Sequence, residues 1–169
     1  MNDLRSILLL LLLLPGLALG QTVHVEKGKI VYKGTVEVTS RGKDDVYNKA
    51  RKLILTHVNQ EKDSLKEDKE NNELESNGQM KLASTYHLAK ALSYKIKFKV
   101  KDGDLTYEIN DVYLKLRERG GKTKLIPSEE ILKGMDTSGK PSMDTEKQLN
   151  EIDMHIQKLL ALMNAGMKG

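Results

Sequence analysis

The chain has 169 residues, 38% of them apolar and 31% charged, with a formal net charge of +4. That balance excludes a disordered chain and a membrane bundle alike, and the length suits one domain able to bury roughly 70% of its unfolded surface. Cysteine and tryptophan are absent and there is one Phe. Disulfides, thiolate metal sites, Cys nucleophiles and lipidation at an N-terminal Cys are thereby excluded, and the core must be aliphatic with help from Tyr and Met.

Arg5 precedes an unbroken apolar run, Ile7 to Leu14, which Pro15-Gly16 breaks. Ala18-Leu19-Gly20 then offers small residues at the −3 and −1 positions of a cleavage site. This layout predicts a secretory signal over residues 1–20 and a mature chain starting at Gln21. The alternative, an uncleaved anchor, would need about 20 apolar residues, more than this run holds. Asp3 and Arg5 cancel, so the mature chain keeps the same mildly basic balance. No second apolar run follows, so no transmembrane span is expected after cleavage. The expected location is periplasmic or extracellular.

Ile30 to Val38 reads as a strand, with Ile30, Tyr32, Val36 and Val38 on one face and Lys33, Thr35 and Glu37 on the other. Ser40 is placed to cap a helix whose first turn carries Asp44 and Asp45, where the positive end of the helix dipole favours carboxylates. Val46, Tyr47, Ala50, Leu53, Ile54, His57 and Val58 form its stripe over about four turns. On this stripe His57 is expected to be partly buried rather than a ligand. Residues 61–70 are almost wholly polar and predict a loop and a weak edge strand, with a turn at Asn71-Asn72. Leu74, Met80 and Leu82 then alternate with Glu73, Glu75, Gln79 and Lys81, leaving small Ser76 and Gly78 on the apolar side.

Tyr94 to Lys101 alternates strictly, and Asp102-Gly103 is a favoured pair for a two-residue hairpin turn. Such a turn sets Lys101 opposite Asp104, Phe98 opposite Tyr107, Ile96 opposite Ile109 and Lys97 opposite Glu108. Both faces then match chemically, which a slipped register would not give. The buried parity flips around Asn110-Asp111, which predicts a bulge before Val112, Leu114 and Leu116. Residues 120–142 are rich in Gly, Ser, Lys and Pro and read as a flexible linker with one helical turn near Ser128 to Leu132, closed by Gly134. A last helix begins near Asp144, with Leu149, Ile152, Ile156, Leu159, Leu160 and Met163 as its stripe and Gly166 where a helix ends. The stripe can dock on the domain's own sheet or on a partner. The tether favours its own sheet.

Strand, helix, several antiparallel strands and a helix make an α+β domain with a sheet covered on one face. The organisation expected is a signal peptide over 1–20, an α+β domain over 21–119, a linker over 120–142 and a C-terminal amphipathic helix over 143–169. The stretches SRGKDDVYNKA from Ser40, DKENNELESNG from Asp68 and KVKDGDLTYEIND from Lys99, with EIDMHIQK in the tail, carry a resemblance. They resemble a family of exported bacterial proteins described only as a domain of unknown function with a TATA-binding-protein-like (TBP-like) fold. The resemblance implies a curved antiparallel sheet with helices on one face. It implies no activity, and the fold name promises no DNA binding.

No catalytic constellation emerges, so an enzyme is not expected, and neither a cofactor nor a metal is called for. His24, His57, His87 and His155 lack partners at zinc-site spacing. Gly120-Gly121-Lys122-Thr123 lacks the earlier Gly and the strand-loop-helix setting of a phosphate loop. No Ser lies in a nucleophile-elbow sequence, and the acid pairs Asp44-Asp45 and Glu129-Glu130 stand where helix starts want them. One feature remains. Lys95, Lys97, Lys99 and Lys101 line one sheet face at about 7 Å steps and could contact an anion. Against that stands the reading of a solvated outer face that keeps the sheet soluble. No aromatic is interleaved as base stacking requires, so nucleic acid is not expected. The expected role is a non-enzymatic periplasmic binding or interaction module with an envelope-protein partner. The alternative is an envelope-associated structural protein touching anionic glycan or lipid through the lysine face.

Overall fold

The structure is a computed structural model, and it describes residues 24–36, 38, 42–58, 64–82, 89–101, 104–117, 121–135 and 140–168. The signal segment, the proposed Gln21 start, the Ser40 cap, His87 and the Asp102-Gly103 turn lie outside the described residues.

A small hairpin opens the described chain, β1 (Val25–Glu26) against β2 (Lys29–Ile30). Its two connecting residues, Lys27 and Gly28, both have positive φ, the geometry that matches the right-handed twist of short hairpins. β3 (Tyr32–Val36) follows, with Tyr32 and Val36 buried and Lys33 and Thr35 exposed. Helix α1 (Lys43–Leu53) starts after Gly42, which has extended backbone and makes no side-chain cap. Asp44 and Asp45 sit in its first turn, and Val46, Tyr47, Ala50 and Leu53 are buried.

The last turn, Ile54–Val58, is a π-helix. Its wider winding stacks Val58 above Ile54, and both are buried. His57 is thereby carried out to solvent and is exposed, not partly buried as the regular helical stripe implied.

β4 (Lys66–Asp68), β5 (Glu73–Leu82), β6 (Ala89–Lys101) and β7 (Asp104–Arg117) form an antiparallel meander. The β4–β5 turn is held by Asp68, whose carboxylate accepts from the Asn71 backbone N–H and side-chain amide at 3.0 and 2.8 Å, and Asn72 takes a left-handed φ of 57°. The sheet order is β3-β7-β6-β5-β4. Lys101 pairs with Asp104, Phe98 with Tyr107, Ile96 with Ile109 and Lys97 with Glu108, the register expected. The bulge is also where parity placed it. Ser93 pairs with Tyr113 and Lys95 with Asn110, so Asp111 and Val112 together face Tyr94.

The stretch expected to be a linker holds a sixth strand of this sheet. Thr123–Pro127 forms β8 and pairs with the second half of β7, Leu125 opposite Lys115. β3 occupies the same edge of β7 along its first half, Val36 opposite Leu105 through Tyr32 opposite Ile109. The short helix α2 (Ser128–Leu132) follows as expected. The Ser128 hydroxyl accepts from the Ile30 N–H at 3.4 Å and so ties the end of β8 to the end of β2 just ahead of β3, where β8 and β3 meet along β7.

Helix α3 (Met143–Lys168) closes the domain and runs through Gly166. Leu149, Ile152, Ile156, Leu159, Met163 and Met167 are buried in one core cluster with Ile54 of the π-turn, Leu53 of α1, and Leu74, Phe98 and Ile109 of the sheet. The helix therefore docks on its own domain. Two glycines shape the inner sheet face. Gly78 lies opposite Tyr94 and Gly34 opposite Tyr107, and a Cβ at either would collide with the facing ring. Each tyrosine lies across the strand over a missing side chain, a device that fills the gap a strand glycine leaves.

Candidate functional site

Helices α1 and α3 cover one face of the sheet, and among the described residues no helix covers the other. The outer face is best followed as rows crossing the strands, since register fixes which side chains stand side by side. One row runs Lys66, Glu75, Lys97, Glu108, Lys33 across β4, β5, β6, β7 and β3. Its charges alternate. Glu75 lies 3.5 Å from Lys66 Nζ and 3.2 Å from Lys97 Nζ, and Glu108 lies 3.8 Å from Lys33 Nζ. Lys97 thus gives its ammonium to Glu75 on β5 rather than to its β7 pair Glu108. Partial burial pushes the Glu75 carboxyl up, but Lys97, with Lys95 and Lys66, outweighs it and holds the group below its ordinary value.

The adjoining row, Glu73, Lys99, Thr106, Thr35, has Lys99 Nζ 2.7 Å from Glu73. On the other side Lys95 Nζ is 3.2 Å from Asp111. Lys95, Lys97, Lys99 and Lys101 do share the outer face, and the first three each hold a carboxylate. Lys101, at the strand end, has none within 4.0 Å among the described residues.

Past the bulge the face changes character. Asp111 takes a left-handed φ of 47°, a conformation Asp tolerates better than most residues. The extra residue keeps Val112 and Leu114 in the core and turns Tyr113 and Lys115 outward. The rows here are Gln79, Ser93, Tyr113, Pro127 and Lys81, Ala91, Lys115, Leu125. Neither contains an acid. Asn77, Gln79, Ser93, Tyr113, Lys115 and Leu125 border a depression of about 590 Å³, with Lys95 and Asp111 at its margin. Leu125 is 56% exposed there. A second depression of about 560 Å³ lies over the charge-alternating rows.

This arrangement can offer amide and hydroxyl hydrogen bonds, one aromatic ring and several cations. No group of three or more His, Asp or Glu side chains that could hold a metal ion occurs among the described residues. Sequence reasoning found the lysine row but not the patch beside the bulge. Its signal was the parity flip at Asp111, which sends Tyr113 to the outer face once the bulge is taken into account.

Residues 32–115 match the family described as a domain of unknown function (DUF4468) with TBP-like fold. Over that stretch the chain belongs to this family. The chain also shares its fold with two crystal structures. A TBP-like protein from Parabacteroides distasonis has 15% identity and a TM-score of 0.67, covering 86% of this chain and 96% of that one. A DUF4468 family protein from Bacteroides ovatus has 14% identity and a TM-score of 0.69, covering 87% and 91%. No curated protein matches this chain. The family's function is unknown, so the likeness fixes the α+β, antiparallel TBP-like fold and assigns no chemistry.

Proposed function

We propose that this chain is an exported, non-enzymatic binding module that takes its ligand on the uncovered sheet face. The observation that carries the reading is the bulge. A strained left-handed Asp111 is kept in the middle of the longest strand, and its effect is to present Tyr113 and Lys115 beside Asn77, Gln79 and Ser93. Bulges that re-aim side chains concentrate at working surfaces. Export rests on the N-terminal leader, and no described helix is long and apolar enough to cross a membrane.

Two measurements test this. N-terminal sequencing of extracytoplasmic protein should begin at Gln21, and soluble cytoplasmic protein retaining Met1 refutes export. Tagged mature protein should retain a specific component of envelope extract, and Tyr113→Ala should release it. Retention indifferent to Tyr113 and Lys115 refutes the face as the binding surface. Contact with an anionic glycan or lipid through Lys95, Lys97, Lys99 and Lys101 is the weaker reading, because three of those ammonium groups already hold carboxylates at 2.7 to 3.2 Å. It demands binding that falls steeply with salt and with loss of Lys99.

A further inference from the structure

The depression beside the bulge has a composition specific enough to name a ligand class. Its volume of about 590 Å³ lies inside the roughly 300–1,000 Å³ range of ligand clefts. Three chemistries meet in it. Asn77 and Gln79 carry planar amides on β5, each both donor and acceptor, and Ser93 adds a hydroxyl on β6. Tyr113 contributes an aromatic ring in the row of Gln79 and Ser93. Lys115 brings an ammonium group to the border of the depression, and Lys81 stands beyond that border in the same row, across Ala91. Ala91 between them is buried, and the two lysines stand two strand spacings, about 10 Å, apart at the backbone. Neither lysine has a carboxylate within 4.0 Å among the described residues, and Arg117 stands in the row beyond, likewise without one. The one acid at the margin, Asp111, is held by Lys95.

We propose that this depression binds an acidic oligosaccharide, with a sugar ring on Tyr113, ring hydroxyls on Asn77, Gln79 and Ser93, and a uronate carboxylate between Lys81 and Lys115. The inference rests on the uncovered face being the binding surface. Mixed donor and acceptor side chains match hydroxyls, which also both donate and accept. Cations with no carboxylate partner among the described residues select an anion. A single-stranded nucleic acid fits less well, because it calls for successive stacking rings and the face offers one. A protein partner fits less well because the patch has only Leu125 and Tyr113 to build an apolar centre, where interfaces concentrate their binding energy.

The test uses the full mature chain, isotope-labelled, titrated with oligogalacturonate, with a neutral oligogalactoside and with oligothymidylate. Amide shifts should cluster on Asn77, Gln79, Ser93, Tyr113 and Lys115 with the uronate. Lys115→Gln and Tyr113→Ala should each weaken uronate binding by about tenfold or more, equivalent to about 1.4 kcal/mol. Lys99→Gln, in the compensated part of the face, should leave it unchanged, and a circular-dichroism melt checks that each variant folds. Tighter binding of the neutral sugar, or of oligothymidylate, at these residues overturns the acidic-saccharide class. So does the absence of any uronate response. If extract retention still depends on Tyr113 in that case, only the ligand class has failed. If retention is also indifferent to Tyr113, the reading of the face has failed with it.

Discussion

Ile156 gives the sharpest test of the architecture, because it decides whether α3 is an appendage or part of the core. Its side chain is 0% exposed, as are those of Ile152, Met163 and Met167 on the same stripe. The surrounding cluster draws on α1, the π-turn and three or more strands, so a cavity there cannot collapse by moving one element. Ile156→Ala should therefore fall in the upper part of the usual range for deleting buried aliphatic groups, about 3–4 kcal/mol. For a domain of this size that corresponds to a fall in Tm of roughly 6–16 °C. Ile156→Asp should cost at least as much, since it adds an unpaired charge to the same apolar contact. Leu162, 48% exposed on the same helix, is the control, and Leu162→Ala should change stability by no more than about 0.5 kcal/mol. Guanidinium unfolding followed by circular dichroism and tyrosine fluorescence would measure all three, with the midpoint moving and the slope preserved. Equal stability of the wild type and Ile156→Ala refutes the docked helix. So does a truncation after Lys140 that still unfolds cooperatively at the wild-type midpoint.

Gly78→Ala should destabilise the domain by about 1–3 kcal/mol, because the new methyl collides with the Tyr94 ring. Pairing it with Tyr94→Leu should recover part of the loss, and a strictly additive double variant contradicts the contact. The depressed Glu75 carboxyl contributes stability that is fully present above the ordinary carboxylate range, near 4.5, and is lost as pH falls through its lower folded-state value. Glu75→Gln should therefore lower stability at neutral pH and flatten the acid limb of the stability profile, whereas an unchanged limb removes Glu75 from the acid response. Arg51 Nε donates to Glu67 at 2.9 Å and Tyr47 Oη to the same carboxylate at 3.3 Å, clipping α1 to the edge strand β4. Glu67→Gln should raise hydrogen-exchange rates in Lys66–Asp68 while leaving β6 amides protected, and uniform exchange changes would contradict a local clip.

Much of this was legible in the sequence because alternation and cross-strand chemistry are local. The β6–β7 register followed from a two-residue turn and matched pairs on both faces, and the bulge from a parity flip. The apolar stripe of α3 marked its buried face. β8 was not legible, because Thr123 to Pro127 has no alternation of its own and is a strand only through the half of β7's edge that β3 leaves open. The exposure of His57 was hidden by the π-turn, which no residue spacing announces. The site was half legible. Sequence spacing put the lysines in a row, but pairing with Glu73 and Glu75 depends on β5 lying alongside, and that neighbour is set by the tertiary fold.

The shared edge of β7 has a consequence for how the chain folds. The pairings within the meander, β4 with β5, β5 with β6 and β6 with β7, all join sequence neighbours, so it can form through short loop closures. Tyr32 must find Ile109 across most of the domain, and α3 must arrive after everything it covers. Formation should therefore run from the meander outward, with the edge strand and the helix as late locks. Substitutions at Ile96 or Ile109 should slow refolding, whereas Ile156→Ala should mainly hasten unfolding, and stopped-flow chevrons of the three variants would reveal the reverse order if it held. Under that order the lifetime of the native state rests on the last helix to arrive.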